Sequence, residues 1–328
     1  MPDQSDQPMD GDGAFRATGA REHWTEMTYG GALSFLRRRY SRELDGVDVA
    51  VMGFPYDASV TYRPGCRLGP RAIRAASVQL AELRAFPWGF DLLESLAIVD
   101  RGDALLDPHH PESVAPAIEA AATAVIRSGT KLLSLGGDHF IAWPLLRAHA
   151  AVHGPLALVQ VDAHGDLWPD DPGRIDHGTM MGRAIREGIV DPSRSTQVGI
   201  RTYHDDPMGL EILTAPWIHR NGIAAAIEVI RARAGDAPLY LSFDIDGLDP
   251  AFAPGTGTPV PGGLASWQAL ELVRGLAGLN LVGMDLVEVS PPFDHAEITA
   301  LAAAHLAHDW LCVLAAEAGA VQAPVGRL

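Results

Sequence analysis

Short apolar segments alternate along the chain with longer segments in which apolar residues recur at helical spacing. The short segments are rich in aliphatic residues and predict strands at 47–54, 95–100, 131–137, 155–162, 195–200, 237–244 and 279–289. The longer segments predict helices at 70–83, 112–129, 141–154, 222–235, 266–278 and 295–319. Such alternation indicates parallel strands joined by helical crossovers. We therefore expect a three-layer α/β/α fold around a central, mostly parallel sheet.

The first 22 residues stand apart from this pattern. They are acidic, contain glycine and offer almost no apolar surface to bury, which predicts a flexible tail over residues 1–22. No change of composition, Ser/Gly-rich linker or internal repeat divides the remainder of the chain. Residues 23–328 are therefore predicted to form a single domain.

The composition narrows the classes of function. Of 328 residues, 47% are hydrophobic and 20% are charged, as in a soluble globular protein. The 25 Lys and Arg residues against 41 Asp and Glu residues give a net charge of −16 at pH 7, which argues against nucleic acid as a partner. The chain has two cysteines, no run of eighteen apolar residues and no signal-peptide pattern at its start. We therefore expect a cytoplasmic protein with no membrane partner.

Metal-ligand side chains cluster where three predicted strands end. The strand at 155–162 continues into Asp162, His164 and Asp166, and the period of two in extended chain turns these three side chains toward one side. The strand at 237–244 likewise ends in two candidate ligands, Asp244 and Asp246. The strand at 131–137 leads through Gly136 and Gly137 to a further candidate, His139.

Two divalent cations would balance this set of side chains. Four buried carboxylates without compensation would repel one another and lose hydration. Two M²⁺ ions supply the matching charge, and a shared carboxylate would hold them close enough to activate one water molecule between them. Oxygen and imidazole ligands without thiolate favour Mn²⁺, with Ni²⁺, Co²⁺ and Zn²⁺ left open.

The motifs around these residues resemble those of the ureohydrolase family of arginases and agmatinases. The resemblance spans about residues 48–318 and is carried by the segments Gly-Gly-Asp-His at 136–139, Asp-Ala-His-Gly-Asp at 162–166, Ser-Phe-Asp-Ile-Asp-Gly-Leu-Asp-Pro at 242–250, Ala-Pro-Gly-Thr-Gly-Thr-Pro at 253–259 and Val-Glu-Val-Ser-Pro-Pro at 287–292. It implies an arginase-like fold and two manganese ions. One ion would bind His139, Asp162, Asp166 and Asp244, and the other Asp162, His164, Asp244 and Asp246.

Within the family, the chain most resembles the agmatinase subgroup, because of segments such as Asp-His-Gly-Thr-Met at 176–180. It implies hydrolysis of agmatine to putrescine and urea by a homotrimer or homohexamer. By analogy, His177 is a proton shuttle and Glu288 holds the guanidinium of the cationic substrate, for which a carboxylate is well suited. Asp166 lies close enough in its motif to hold or relay a proton to the departing amine.

Two positions differ from the family pattern and leave the substrate tail open. Gly165 and Leu167 stand where relatives commonly carry polar residues, and Leu167 cannot hydrogen-bond an α-carboxylate, which disfavours arginine. Guanidinobutyrate, guanidinopropionate or a small alkylguanidine, in a pocket beside Leu167 and Trp168, remain alternatives to agmatine. A non-catalytic partner subunit is a third hypothesis, against which the intact ligand set argues. The remaining polar cluster, His305, His308 and Asp309, is interpreted as structural.

Overall fold

Eight parallel strands form one central sheet in the computed structural model, which describes residues 12–22, 27–171 and 174–317. The strands are β1 (Val49–Phe54), β2 (Ile98–Asp103), β3 (Lys131–Gly136), β4 (Ala157–Val161), β5 (Thr196–Ile200), β6 (Glu211–Thr214), β7 (Leu239–Asp244) and β8 (Leu281–Val287). Their order across the sheet is β2-β1-β3-β8-β7-β4-β5-β6, and every pair is parallel. The predicted fold class is confirmed.

Helices cover both faces of this sheet. They are α1 (Gly13–Arg16), α2 (Gly69–Ser77), α3 (Leu92–Ser95), α4 (Pro111–Ile126), α5 (Ala142–His153), α6 (Met180–Arg186), α7 (Ala215–Asn221), α8 (Ile223–Ala234), α9 (Ser266–Arg274) and α10 (Ile298–Glu317). Successive strand residues point to opposite faces. Val49 and Val51 accordingly join a core that includes residues of α2, α8, α9 and α10, whereas Ala50 and Met52 join a core that includes residues of α4, α5 and α6.

Some elements differ from the sequence-based expectation. Strand β6 was not predicted, because it has four residues, pairs only with β5 at the sheet edge and buries only Leu213 fully, so it lacks a continuous apolar segment. Strand β2 begins at Ile98 rather than at residue 95, since Asp91 caps the short helix α3 through Leu93 N. Helices α6 and α7, of seven residues each, were also missed.

Helix α10 is long, apolar and mostly buried. Among the described residues it alone is long and apolar enough to cross a membrane, but 78% of its apolar segment is buried inside the fold. Trp310 in this helix is fully buried, and the helix packs on α2 and α9. Its apolar character is therefore that of a core helix. Residues 318 and 319, the end of the predicted helix, lie outside the described residues.

Part of the predicted amino-terminal tail lies against the sheet. Ala14 and Ala17 are buried, and the carbonyl oxygens of Ala14 and Ala20 accept hydrogen bonds from Tyr40 N and Ile98 N. Residues 1–11 and 23–26 lie outside the described residues. The flexible tail and the single domain over 23–328 stay predictions, with residues 12–22 contributing contacts to the domain.

The strand order creates a crevice at the carboxyl edge of the sheet. Strand β4 follows β3 in sequence, yet β8 and β7 lie between them in space. Connections on the two sides of such a gap run in opposite directions, and ligands of open α/β sheets bind there. The four neighbouring strands β3, β8, β7 and β4 all lead into the segments that carry the predicted site.

Candidate metal centre

The six predicted metal ligands converge in this crevice. His139 Nδ1 lies 3.1 Å from Asp162 Oδ2, 3.1 Å from Asp166 Oδ2 and 3.3 Å from Asp244 Oδ2. His164 Nδ1 lies 3.3 Å from Asp162 Oδ1 and 3.1 Å from Asp246 Oδ2. The side chains thus form two adjacent groups that share Asp162. Asp162 thus offers one carboxylate oxygen to each group.

Local chain geometry delivers these side chains. A Cβ atom at Gly137 would overlap the Tyr56 backbone, so only glycine allows the turn that brings His139 to the end of β3. Asp166 adopts a left-handed backbone with φ 52°, which is unusual for a residue with a side chain. At the end of β7, Asp244 Oδ1 accepts a hydrogen bond from Asp246 N at 2.8 Å, which holds the two carboxylates in one tight turn.

The electrostatics of the group call for added positive charge. Burial, together with the neighbouring Asp162 carboxylate, raises the pKa of Asp166 to about 7. Burial and Asp246 also raise the pKa of Asp244. Burial opposes the charge on His164, but Asp246 and Asp162 outweigh it and raise the pKa of His164 to about 12. Buried carboxylates with such pKa values need a compensating positive charge, which divalent cations would supply.

The donor set fits divalent metal ions. Among the described residues, His139 Nδ1 is a buried nitrogen that faces three carboxylates yet forms no well-aligned hydrogen bond. Its other nitrogen, Nε2, lies 2.8 Å from Ser242 Oγ, which in turn donates to Asp285 Oδ1 at 2.8 Å. A histidine held by one nitrogen with the other free is typical of a metal ligand. Carboxylate oxygens and imidazole suit Mn²⁺ and its neighbours in the first transition row.

Glu288 and His177 meet beside these groups. Glu288 follows β8 with φ 65°, and its Oε1 accepts a hydrogen bond from His139 N at 2.8 Å and lies 3.0 Å from His177 Nδ1. Its Oε2 is buried and has no hydrogen-bond partner within the part of the chain that the structure describes. His177 Nε2 lies 2.9 Å from Thr61 Oγ1. Burial opposes the charge on His177, but Glu288 outweighs it and raises the pKa of His177 to about 9.

A narrow pocket of about 30 Å³ leads to the centre. Its lining residues are Thr61, His164, Asp166, Trp168, His177, Gly178, Asp244 and Thr258. Trp168 is 47% exposed and packs against Gly178, where a Cβ atom would overlap the indole ring. The expectation that Leu167 also lines the pocket is not met, since Leu167 is buried in the apolar core that contains residues of α4, α5 and α6.

Sequence reasoning missed several polar residues that support the site. Gln160 donates to Asp162, Ser242 contacts His139, and Asp285 accepts from Ser242. Each is a buried polar residue inside an otherwise apolar strand, and Gln160 and Ser242 stand two positions before a predicted ligand. Because strand side chains alternate, that spacing was the signal that could have found them.

A third group of potential ligands lies apart from this crevice, on α10. His308, Asp309 and Cys312 come within metal-binding distance of one another. However, the Asp309 carboxylate accepts a hydrogen bond from Arg274 Nε at 2.6 Å, so a cation already compensates it. The structural interpretation of His308 and Asp309 stays a prediction.

The parallel sheet with two carboxylate-and-histidine groups at its switch point defines the class to which the chain belongs. The arginase family profile matches residues 47–312, and the chain belongs to the arginase family. It is 57% identical to an agmatinase of Chromobacterium violaceum over 94% of this chain and 97% of that one. The structure of a hypothetical agmatinase from Burkholderia thailandensis superimposes with a TM-score of 0.91, at 55% identity over 93% of this chain and 97% of the other. The proclavaminate amidino hydrolase of Streptomyces clavuligerus gives a TM-score of 0.85, at 37% identity over 89% and 100%.

Proposed function

We propose that the protein is an agmatinase, which hydrolyses agmatine to urea and putrescine with two metal ions. The observation that carries the proposal is the convergence of two histidines and four aspartates on one crevice, in a chain that is 57% identical to a protein named agmatinase. The proposed ligands are His139, Asp162, Asp166 and Asp244 for one ion and Asp162, His164, Asp244 and Asp246 for the other. When bound, the ions would lower the pKa of a water molecule and so supply the nucleophile at neutral pH.

Glu288 is proposed to bind the guanidinium. Its Oε1 is fixed by His139 N and His177 Nδ1, whereas Oε2 is buried and free to accept from a ligand. A guanidinium presents planar N–H donors to such a carboxylate. Because Glu288 is 1% exposed, water cannot compete well for these hydrogen bonds. The substrate carbon would therefore be held at a fixed place beside the proposed ligands.

His177 and Asp166 are proposed to handle the protons. Cleavage of the C–N bond releases an amine, which leaves readily only after it gains a proton. With a pKa of about 9, His177 carries that proton at neutral pH and lies in the pocket wall. Asp166 lines the same pocket and can take the proton that the attacking water gives up. Thr61, which contacts His177 Nε2, would hold the imidazole in its orientation.

The pocket favours a substrate with a cationic tail. Among its described lining residues there is no Lys or Arg side chain, so the carboxylate of guanidinobutyrate or guanidinopropionate would find no basic partner there. Trp168 offers an aromatic ring, which attracts an ammonium group. Hydrolysis of another guanidino compound is the second candidate, because a relative 37% identical is named for action on proclavaminate. A non-catalytic partner subunit is disfavoured by the complete ligand set.

Urea release from a panel of guanidino compounds tests the proposal. The purified protein is stripped with EDTA, reconstituted with Mn²⁺, Ni²⁺, Co²⁺ or Zn²⁺ in turn, and offered agmatine, arginine, guanidinobutyrate, guanidinopropionate and butylguanidine. We expect agmatine with Mn²⁺ to react fastest and the stripped protein to be inactive. Turnover that survives chelation, or no urea from any compound with any ion, would contradict the proposal. We also propose that the protein is cytoplasmic and forms a homotrimer or homohexamer. Light scattering of the purified protein would test the oligomeric state.

A further inference from the structure

Two buried glutamines lie side by side beneath the candidate metal centre. Gln160 in β4 and Gln197 in β5 are paired in register across the two neighbouring strands, and both side chains are fully buried. Directly paired residues of neighbouring parallel strands point to the same face of a sheet. The two amides therefore lie together on one face of the sheet, in a row of buried polar residues that continues through Ser242 of β7 and Asp285 of β8. Neither residue lines the pocket.

Gln160 joins two of the proposed metal ligands. Its Nε2 donates to Asp162 Oδ2 at 2.8 Å and to Asp166 Oδ2 at 3.1 Å. These are the same two oxygens that lie 3.1 Å from His139 Nδ1. One amide group thus draws together two carboxylates that would otherwise repel each other, and it directs both toward the same imidazole nitrogen.

Gln197 fixes which way the Gln160 amide points. Gln197 Nε2 donates to Gln160 Oε1 at 2.7 Å and to the Gly165 carbonyl oxygen at 2.6 Å. A backbone carbonyl can only accept, so Gln197 must present its nitrogen at this end. Gln160 then presents its oxygen to Gln197 and its nitrogen to the carboxylates. The orientation of both amides follows from the acceptors at the two ends of the chain of hydrogen bonds.

The same hydrogen bonds hold an unfavourable loop conformation. Asp166 has φ 52°, and the residue before it is the one whose carbonyl Gln197 binds. A non-glycine residue stays in the left-handed region only when its surroundings hold it there. The loss of the Gln197 contacts would allow this loop to relax and would leave Gln160 free to rotate away from the carboxylates.

We propose that Gln197 is a positioning residue that acts through Gln160 and the Gly165 carbonyl to set the spacing of Asp162 and Asp166, and thereby the affinity for the ion held with His139. The role rests on the proposed dinuclear function. Residues that orient metal ligands without touching the metal typically contribute about 10–100-fold to metal affinity. The ion held through His164 and Asp246 depends less on this arrangement, because the glutamine pair contacts neither of those side chains. Gln160 reaches only the His164 carbonyl oxygen, at 3.4 Å, and it holds Asp162 by Oδ2, whereas His164 Nδ1 lies against Asp162 Oδ1.

Calorimetric titration of the metal-free protein with MnCl₂ tests this role. The variant Gln197→Met keeps the length of the side chain and removes its hydrogen bonds. Gln79→Met makes the same change at an exposed position and is the matched control. We expect Gln197→Met to weaken one of the two binding steps by about 10–100-fold and to change the other by less than about threefold. Gln79→Met should leave both steps unchanged. Circular dichroism and thermal unfolding of the metal-free proteins report whether each variant folds.

The possible results separate the positioning role from a structural one and from failure of the centre itself. If a folded Gln197→Met variant binds both ions as the unaltered protein does, or loses both steps equally, the proposal is overturned. Should Gln197→Met not fold, Gln160→Met is titrated instead, with the same selective loss expected and the same contrary results. If the unaltered protein binds no Mn²⁺, Ni²⁺, Co²⁺ or Zn²⁺, the proposed function fails, and the positioning role fails with it.

Discussion

Replacement of Glu288 by glutamine provides the most direct test of how the substrate is held. The substitution keeps the shape of the side chain, and the amide oxygen can still accept from His139 N at the position of Oε1. The amide nitrogen then replaces Oε2, the buried oxygen proposed to accept from the guanidinium. A guanidinium would meet N–H donors instead of a carboxylate oxygen. The change therefore removes the charge partner while the neighbouring backbone remains satisfied.

The burial of Glu288 sets the size of the expected effect. The residue is 1% exposed, so its interaction with a cation belongs to the buried class, in which loss of one partner costs about 2–5 kcal/mol. At about 1.4 kcal/mol per factor of ten, the lower limit corresponds to a loss of about 30-fold in kcat/KM. An exposed ion pair, worth about 1 kcal/mol or less, would give less than about tenfold.

Steady-state urea release from agmatine, with the Mn²⁺ content of each protein measured in parallel, provides the assay. Glu271→Gln on the exposed side of α9 is the matched control and should behave as the unaltered protein. We expect Glu288→Gln to retain its metal and lose at least about 30-fold in kcat/KM. An unchanged kcat/KM in a variant with full metal content would refute the guanidinium role.

The same variant changes the pH dependence through His177. In the unaltered protein Glu288 raises the pKa of His177 to about 9, so the imidazolium is present below that pH and is lost as the pH rises through it. If His177 donates the proton to the departing amine, kcat should fall above about pH 9. Without the carboxylate the pKa of His177 falls, and the alkaline limb of the profile should move to lower pH. A limb at the same pH in both proteins would assign it to another group.

Three further perturbations follow from the structure. Asp244→Asn should lose Mn²⁺ and activity together while the chain still folds. Full activity in a variant for which metal analysis finds one ion or none would contradict the shared-ligand role. Trp168→Leu should reduce the preference for agmatine over butylguanidine, an analogue with an uncharged tail, by about 2–30-fold, whereas the exposed Trp267→Leu should not; equal preference in both variants would exclude the cation–π contact. Asp100→Ala removes the buried carboxylate that Arg74 contacts at 2.8 Å and that also accepts from Phe35 N, and it leaves the buried guanidinium only the half-exposed Asp103. The substitution should lower the free energy of unfolding by about 3–5 kcal/mol in urea titrations.

The metal-ligand assignments stay predictions, but the side chains that they name do lie together where local chain geometry decides the outcome. Asp162, His164 and Asp166 follow directly from the buried strand β4 within five residues, although the left-handed backbone of Asp166, with φ 52°, and not strand alternation alone, turns that side chain toward the others. Glu288 was assigned from a resemblance, and its contact with His177 joins residues that are 111 positions apart. No spacing rule along the chain could show that contact, because it depends on where β8 lies in the sheet.

Predictions were wrong or absent where the environment of a residue depends on its neighbours in space. Leu167 and Trp168 are adjacent in sequence, yet one is buried in the core and the other lines the pocket. Strand β6 pairs only with β5, and its four residues show little apolar pattern of their own. The partnership of Gln160 and Gln197 follows from the register of β4 against β5, which the sequence does not display.

The sequence alone determined the α/β class and the places where the candidate ligands emerge, because strand and helix periodicity and the turns at strand ends are set by residues a few positions apart. The tertiary structure decided which of those strand ends are neighbours. Only the insertion of β8 and β7 between β3 and β4 brings His139, Glu288, Asp244 and Asp162 to one crevice. That order results from the burial of whole strands and helices against one another, and no segment of the chain carries it by itself.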